Sequence, residues 1–371
     1  MAASNLPRHQ VSRRDDAGRS FAFASYLRVA AMSGVVLIHT LSGIVGNPAI
    51  RFSATWWAGT ALDLGSSWAV PVFIMVSGAL LLESRPGEGA RAFYARRLQR
   101  IAIPLVVAHV GYLLVRFRWL HEPLTVPRVV ADLLHATVYV QLYFFWIILG
   151  LYLITPLLRS ALADRTRGEL LVIGVAGIGF MWAVRAGAQI LALAGAPTAI
   201  WQPAALTLFI PYIGYFIIGY ALRDVVLGGR NLLGATGVFV AANALVVWQY
   251  AIGAKVPALA VLLGGGYQGL PVALTAVSIF VIGRSLVNPA SRLASPPFQA
   301  PMRRLGELSL GVFIIHLLLL RFGWMTPSFR FSVVKQNLPV ALLLWAVVTI
   351  GSFAVCAVIA RIPIIRKTIG F

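Results

Sequence analysis

An arginine and a histidine stand eleven residues apart in an otherwise apolar stretch, YLRVAAMSGVVLIHTLSG, residues 26–43. Eleven residues at about 100° each amount to three turns plus about 20°, so a helix places Arg28 and His39 on one face, about 16 Å apart along its axis. Neutral histidine accepts a proton near pH 7, and a hydroxyl that gives up its proton becomes a nucleophile. The pair therefore predicts a general-base site inside a helix, with an interhelical hydrogen bond of His39 and an interfacial arginine as the alternatives.

A second histidine and two serines occupy helix positions that suit the same site. Ser309 and His316 are seven residues apart, about 700°, and therefore share a face of a late apolar helix. There His316 would hydrogen-bond the reacting groups or support His39, unless it is a core histidine with its own partners. Ser77 stands beside Gly78, a pair that permits close helix packing and could also place a hydroxyl in an acyl pocket. Ser77, Ser309 and His316 are thus candidate site residues.

Two arginines precede the third apolar stretch at a spacing of three. Arg97 and Arg100 fall on one helical face, where two guanidinium groups can bind phosphates through paired hydrogen bonds. A cytosolic acyl-CoA, with its 3′-phosphate and pyrophosphate, has that chemistry. Anionic lipid headgroups beside a membrane helix have it too, and the spacing alone does not separate the two.

The elements that carry these residues are transmembrane helices. Of 371 residues, 59% are hydrophobic and only 11% charged, a composition that excludes an ordinary soluble protein. Apolar stretches of about 20 residues, enough to cross a bilayer core of roughly 30 Å, recur along the whole chain. We predict an all-α bundle of about ten helices in one transmembrane domain, residues 21–371, after a basic tail, residues 1–20. The predicted spans are 22–45, 57–82, 101–120, 141–160, 170–194, 205–222, 231–251, 269–288, 305–325 and 338–361.

Positive charge sets the predicted orientation. With both termini in the cytoplasm, 21 of the 31 Lys and Arg residues lie on the cytoplasmic side, eight lie outside, and Arg28 and Arg185 fall within spans. The formal charge of +20 is therefore a topology signal. Nucleic acid is not an expected partner, because the cations occupy short segments between apolar stretches. Arg116, Arg118 and Arg128 fall on the outer side, where we expect them to snorkel from helix ends.

The remaining polar residues have no assigned chemistry. Asp63 and Arg185 lie at similar predicted depths, so they would form an ion pair or contact an acceptor sugar. Glu307 would form a structural ion pair with Arg28 or with a neighbouring arginine. The other histidines lack a spacing typical of metal ligands, and the single cysteine, Cys356, allows no intramolecular disulfide. We therefore expect no metal site.

Five motifs occur in one order along these spans. Besides the arginine and histidine of the first span, they are VPVFIMVSGALLL (residues 70–82), FYARRLQRIAIP (93–104), YFFWIILGLYLITPLL (143–158) and LGELSLGVFIIH (305–316). In this order the motifs resemble those of the acyltransferase-3 family, integral membrane O-acyltransferases that modify bacterial surface polysaccharides and related molecules. The resemblance covers essentially the whole membrane region.

The resemblance implies an activity and roles for the motif residues. It implies transfer of an acyl group, most simply acetyl, from cytosolic acetyl-CoA to a hydroxyl of a surface polysaccharide or its lipid-linked precursor, in the bacterial inner membrane. It implies that His39 is catalytic, that Arg28 positions or charge-balances the site, and that Arg97 and Arg100 bind CoA. Direct transfer and an acyl-histidine relay are both compatible with it.

This chain departs from the family pattern at two positions. Pro71 stands where many members have an aspartate, and Tyr143 where many have a tryptophan. The proline variant resembles the branch of O-acetyltransferases that act on enterobacterial common antigen and xanthan-type exopolysaccharides, which favours a sugar acceptor. The alternative is a secondary transporter or flippase for a lipid-linked or small anionic substrate, with His39 as a proton relay and Arg185 on the substrate. Few carboxylates within the spans and no visible repeat of broken helices argue against it.

Overall fold

The computed structural model describes residues 21–83, 88–195, 204–252, 255–264, 266–363, 368 and 370, without the side chains of residues 98 and 99. Helices account for the regular secondary structure, and no strand occurs in these ranges. The predicted all-α class is therefore confirmed. The predicted tail, residues 1–20, lies outside the described residues.

The α-helices are numbered here in chain order. They are α1 Ala22–Val45, α2 Ala54–Leu64, α3 Ala69–Leu81, α4 Ala90–Leu114, α5 Val126–Leu134, α6 Tyr143–Leu162, α7 Arg167–Leu193, α8 Ile213–Leu222, α9 Gly229–Ile252, α10 Pro257–Leu262, α11 Leu270–Leu286, α12 Pro296–Met325, α13 Phe331–Val334 and α14 Leu338–Ile359.

Within the described ranges, nine helical segments are long and apolar enough to cross a membrane. They are α1, α2 together with α3, α4 with the π-helical turn Val115–Trp119, α6, α7, the stretch Ala205–Leu222 that contains α8, α9, α12 and α14. α11 coincides with the predicted eighth span but has only 17 residues. The chain is a multi-pass membrane protein.

Two helices extend well beyond the predicted spans. α4 begins at Ala90 rather than near residue 101, so Arg97 and Arg100 lie on the same helix as the apolar stretch that follows them. α12 begins at Pro296 rather than near residue 305. Hydropathy marks only the part of a helix that suits the bilayer core, whereas backbone hydrogen bonds continue the helix into its polar end.

α1 lies at the centre of the bundle, where it packs against α2, α3, α11, α12 and α14. Small residues bring the neighbouring helices close to it. A Cβ added to Gly34 would lie 3.3 Å from Cβ of Ala69 on α3, and one added to Gly306 on α12 would lie 3.1 Å from Cα of Ser25. Lipid tails are as apolar as the helix surfaces, so this dense packing, more than the hydrophobic effect, holds the helices together.

α3 and α8 pack backbone to backbone. A Cβ added to Gly78 would overlap the carbonyl oxygen of Phe216, and one added to Gly219 would overlap that of Met75. Ser77 is the neighbour of Gly78. Its position is therefore fixed, because α3 can neither slide nor rotate against α8 without a steric clash. The close packing expected of the Ser-Gly pair is confirmed.

The arginines that follow α4 correct one expectation. Arg116 does not snorkel toward the membrane surface. It is 6% exposed, and its guanidinium forms ion pairs with Glu122 at 2.9 Å and Asp132 at 2.7 Å. Nη1 of Arg116 also donates a hydrogen bond to the carbonyl oxygen of Val138 at 3.1 Å. Two carboxylates in the same short segment make burial of this arginine favourable, which a count of positive charges alone does not detect.

Candidate active site

Five of the seven residues singled out from the sequence line one cavity. The cavity has a volume of about 450 Å³ and lies between α1, α3, α4, α6 and α12. Its walls include Arg28, Ser77, Arg97, Arg100 and Ser309, which come from four different helices. We call this space the arginine cavity.

Charge in the arginine cavity is predominantly positive. Three arginines and one glutamate line it. Arg28 lies within electrostatic range of Arg97, Glu307 and Tyr152, and Arg100 is one helical turn from Arg97 on α4. The ion pair expected of Glu307 is not found: the carboxylate lies within electrostatic range of Arg28, but no salt bridge joins it to an arginine in the described part of the chain. An anion with several phosphates is the kind of ligand that such a cluster binds.

The two serines contribute acceptor oxygens to this cavity. Oγ of Ser77 donates a hydrogen bond to the carbonyl oxygen of Phe73 at 2.8 Å, and Oγ of Ser309 donates to that of Gly306 at 2.8 Å. Their protons are thus used within their own helices, while the oxygen lone pairs remain available. Much of the remaining wall is apolar and suits an acyl chain: Phe73, Ile101, Phe144, Ile148, Leu310 and Phe313.

His39 lines a second, smaller cavity of about 260 Å³, which we call the histidine cavity. Its other polar walls are Gln141 and the tyrosines Tyr143 and Tyr267. No lysine, arginine, aspartate or glutamate lines this space among the described residues. The imidazole of His39 is thus presented to a nearly neutral, partly apolar space in which a hydroxyl could reach it.

His316 packs against the ring of His39 and does not itself reach the histidine cavity. The centroids of the two rings are 5.4 Å apart, and His316 is fully buried and lines neither cavity. Its Nδ1 is 2.9 Å from the carbonyl oxygen of Phe313 and 3.1 Å from that of Val312. Because carbonyls only accept, Nδ1 carries the proton and Nε2 keeps its lone pair. Nε2 has no hydrogen-bond partner among the described residues. The geometry favours support of His39 over contact with a substrate.

Phe313 is a wall of both cavities. Its ring packs against Phe144 at 5.1 Å and against His316 at 5.9 Å, centroid to centroid. One aromatic side chain on α12 therefore separates the space that contains the arginines from the space that contains His39.

Four residues of these cavities were missed by the sequence reasoning: Gln141, Tyr152, Phe313 and Tyr267. Phe313 could have been found, because it is four residues after Ser309 and three before His316, on the same helical face. Gln141 had a weaker signal, as the lone amide in the apolar stretch from 138 to 148. Tyr267 had no signal, since only the tertiary fold brings the segment before α11 to the site.

Asp63 and Arg185 do not form the expected ion pair; no salt bridge joins them in the described ranges. Asp63 is 6% exposed and lies within electrostatic range of Tyr267. The Arg185 guanidinium instead packs against the backbone before α11, where a Cβ added to Gly264 would be 2.9 Å from both of its terminal nitrogens. Similar depth in the membrane does not bring two helices side by side, and these two side chains face different neighbours.

Comparison with known proteins adds one positive finding. The sequence model of the acyltransferase-3 family, described as "Acyltransferase domain", matches residues 21–361 of this chain. No curated protein and no solved structure matches the chain significantly.

Proposed function

The chain belongs to the acyltransferase-3 family and is a membrane acyltransferase, and from that premise we propose that it transfers acetyl from acetyl-CoA to a sugar hydroxyl. The acceptor would be a surface polysaccharide or its lipid-linked precursor, and the enzyme would reside in the bacterial inner membrane. Family membership favours this enzyme over the transporter or flippase alternative.

The observation that carries the proposal is the pair of cavities on either side of Phe313. The arginine cavity has the charge for a polyphosphate ligand and apolar walls for a thioester arm. The histidine cavity has a base and no fixed charge among its described lining residues. Acyl transfer to an alcohol needs both environments close together, because a charged donor and a neutral hydroxyl must meet at one carbonyl carbon.

Donor binding is assigned to the arginine cavity. In this proposal Arg97 and Arg100 bind the phosphates of CoA, Arg28 balances charge or orients the thioester, and Ser77 and Ser309 line the path of the acyl arm. Guanidinium groups on adjacent turns suit phosphates because each can form two charge-assisted hydrogen bonds.

Chemistry is assigned to His39. Its imidazole takes the proton of the acceptor hydroxyl as the oxygen attacks the thioester carbonyl carbon. The carbon–sulfur bond then breaks, and the proton passes from the imidazolium to the CoA thiolate, so an ester and free CoA are formed. A relay through acetylated His39 uses the same ring and yields the same products. His316 acts on this step through His39, as a positioning residue.

The donor assignment is tested by calorimetry with purified protein in nanodiscs. Wild type is expected to bind acetyl-CoA, and Arg97→Ala/Arg100→Ala to lose about a hundredfold in affinity or more, since each charge-assisted contact contributes about 1.5–3 kcal/mol. The matched control is Arg303→Ala/Arg304→Ala, which removes the same charge from exposed positions of α12 outside the cavity. Equal losses in both double variants would mean a nonspecific charge effect. No binding of acetyl-, succinyl- or longer acyl-CoA by folded wild type would contradict the proposal.

A further inference from the structure

Gln141 is a buried amide without partners in the histidine cavity. Its side chain lines the cavity beside His39, and the residue is 2% exposed. Neither Oε1 nor Nε2 has a hydrogen-bond partner among the described residues. A buried amide that forms no hydrogen bond costs about 1–3 kcal/mol. When such an unpaired amide lies at the wall of a cavity, a bound ligand is expected to supply the missing hydrogen-bond partners.

The segment that carries Gln141 is held in place by contacts with Arg116 and Tyr112. Nη1 of Arg116 donates to the carbonyl oxygen of Val138 at 3.1 Å, and the rings of Tyr139 and Tyr112 are 4.3 Å apart. The Tyr112 hydroxyl lies near the amide but outside hydrogen-bonding geometry, and it donates instead to the carbonyl oxygen of Ile314 at 2.7 Å. The amide of Gln141 is therefore kept at the cavity wall by its surroundings.

The size and charge of the histidine cavity limit what can bind there. A sphere of 260 Å³ is about 8 Å across, so groups bound at His39 and at Gln141 belong to the same small part of one molecule. The described lining residues include no charged side chain other than His39 when protonated, and aliphatic residues alternate with tyrosines. A phosphate or a carboxylate would find no counter-ion among them, so the bound part of the acceptor is uncharged.

We propose that Gln141 is a second acceptor contact, and that its amide binds another hydroxyl of the same sugar ring or polyol whose reacting hydroxyl lies at His39. This rests on the proposed function, in which His39 receives the hydroxyl proton. A hydroxyl both donates and accepts, and a primary amide offers one group of each kind. The acceptor class is therefore a neutral polyol, and a monohydric alcohol of equal size leaves the amide unpaired.

Glycerol and 1-propanol are the probes, because both have three carbons and differ in hydroxyl number. Nanodisc-embedded enzyme receives acetyl-CoA and either alcohol, and mass spectrometry measures the acetyl ester. Wild type is expected to use glycerol with a kcat/KM about tenfold or more above that for 1-propanol, the factor that one satisfied buried amide represents. Gln141→Leu is expected to lower the glycerol preference to within about twofold, while its affinity for acetyl-CoA stays at the wild-type value.

Gln336→Leu is the matched control, the same substitution at an exposed glutamine that lines neither cavity, and it is expected to behave as wild type. If Gln141→Leu does not fold, Gln141→Met replaces it with an unbranched side chain of similar length. The proposal is overturned if wild type binds acetyl-CoA but shows no glycerol preference, acetylates neither alcohol, or keeps its preference in the Gln141 variant. Loss of acetyl-CoA binding in wild type would instead overturn the proposed function itself.

Discussion

At the scale of single residues, the pair His39 and His316 sets the proposed chemistry. His39 reaches a cavity, whereas His316 is enclosed and donates Nδ1–H to the carbonyl oxygens of its own helix. The unpartnered Nε2 of His316 and a ring separation of 5.4 Å give His39 a neutral polar neighbour with a lone pair. Such a neighbour orients a base and stabilises the proton that the base receives.

Replacement of His316 by phenylalanine separates positioning from packing. His316→Phe keeps a ring in the buried site but removes Nε2, so we expect kcat to fall by at least about tenfold, the factor that 1.4 kcal/mol represents. The KM for acetyl-CoA and the melting temperature are expected to change little, because His316 does not line the arginine cavity. Steady-state kinetics and thermal unfolding measure the two. An unchanged kcat and pH profile would assign His316 to packing alone.

Glu88 gives the molecule an acid-sensitive contact outside the membrane-spanning helices. Burial disfavours its charge, but hydrogen bonds from Arg96 and Arg159 outweigh burial and lower the pKa of the carboxyl below its ordinary value. A lowered folded-state pKa contributes stability above the unfolded value, near 4.5, and loses it as pH falls through the folded value. Glu88→Gln should therefore lower the melting temperature at pH 7 and have much less effect at acidic pH, where the carboxyl is protonated in the folded state as well. An equal decrease at both pH values would refute the ionic origin.

At the scale of helices, contact between α3 and α8 places Ser77 at the arginine cavity. Gly78→Ala is expected to destabilise the protein by about 1–3 kcal/mol, because the new Cβ overlaps the Phe216 carbonyl oxygen and one helix must shift. Gly111→Ala is the control, since no atom lies within 4 Å of an added Cβ at that helical position. Thermal unfolding in one detergent compares the two variants. Equal melting temperatures would show that α3 and α8 are not in close contact.

Sequence patterns predicted the helices better than their contacts. The apolar stretches located each of the nine membrane-crossing segments found in the described ranges, and helical spacing placed Ser309 with His316 on α12. Both predictions depend only on neighbours within one helix. The break between α2 and α3 was missed because residues 65–68 are uncharged and too few to divide the apolar stretch into two. Burial of Arg116 was missed because only positive charges were counted, without the nearby carboxylates Glu122 and Asp132. Separation of Asp63 from Arg185 depends on which helices are adjacent, and one sequence carries no direct record of that.

At the scale of the whole molecule, the arginine cavity should open toward the side that carries most positive charge. Of the 31 Lys and Arg residues, 21 are predicted on the cytoplasmic side, and Arg97 and Arg100 of the donor site are among them. Acetyl-CoA does not cross membranes, so inverted vesicles are expected to release CoA when acetyl-CoA is added outside, and right-side-out vesicles are not. Equal activity in both preparations, with intact vesicles, would contradict a donor site that opens only to the cytoplasmic side.

In the proposed mechanism, His39 performs the transfer after the arginine cavity has bound the donor. The most direct measurement follows CoA thiol release from acetyl-CoA by wild type and His39→Gln, with calorimetric affinity measured on the same samples. We expect His39→Gln to bind acetyl-CoA as wild type does, because His39 does not line the arginine cavity, and to lose about 10²–10⁴ in turnover, the usual contribution of a general base. Turnover that survives in His39→Gln at wild-type affinity would show that His39 is not the catalytic base.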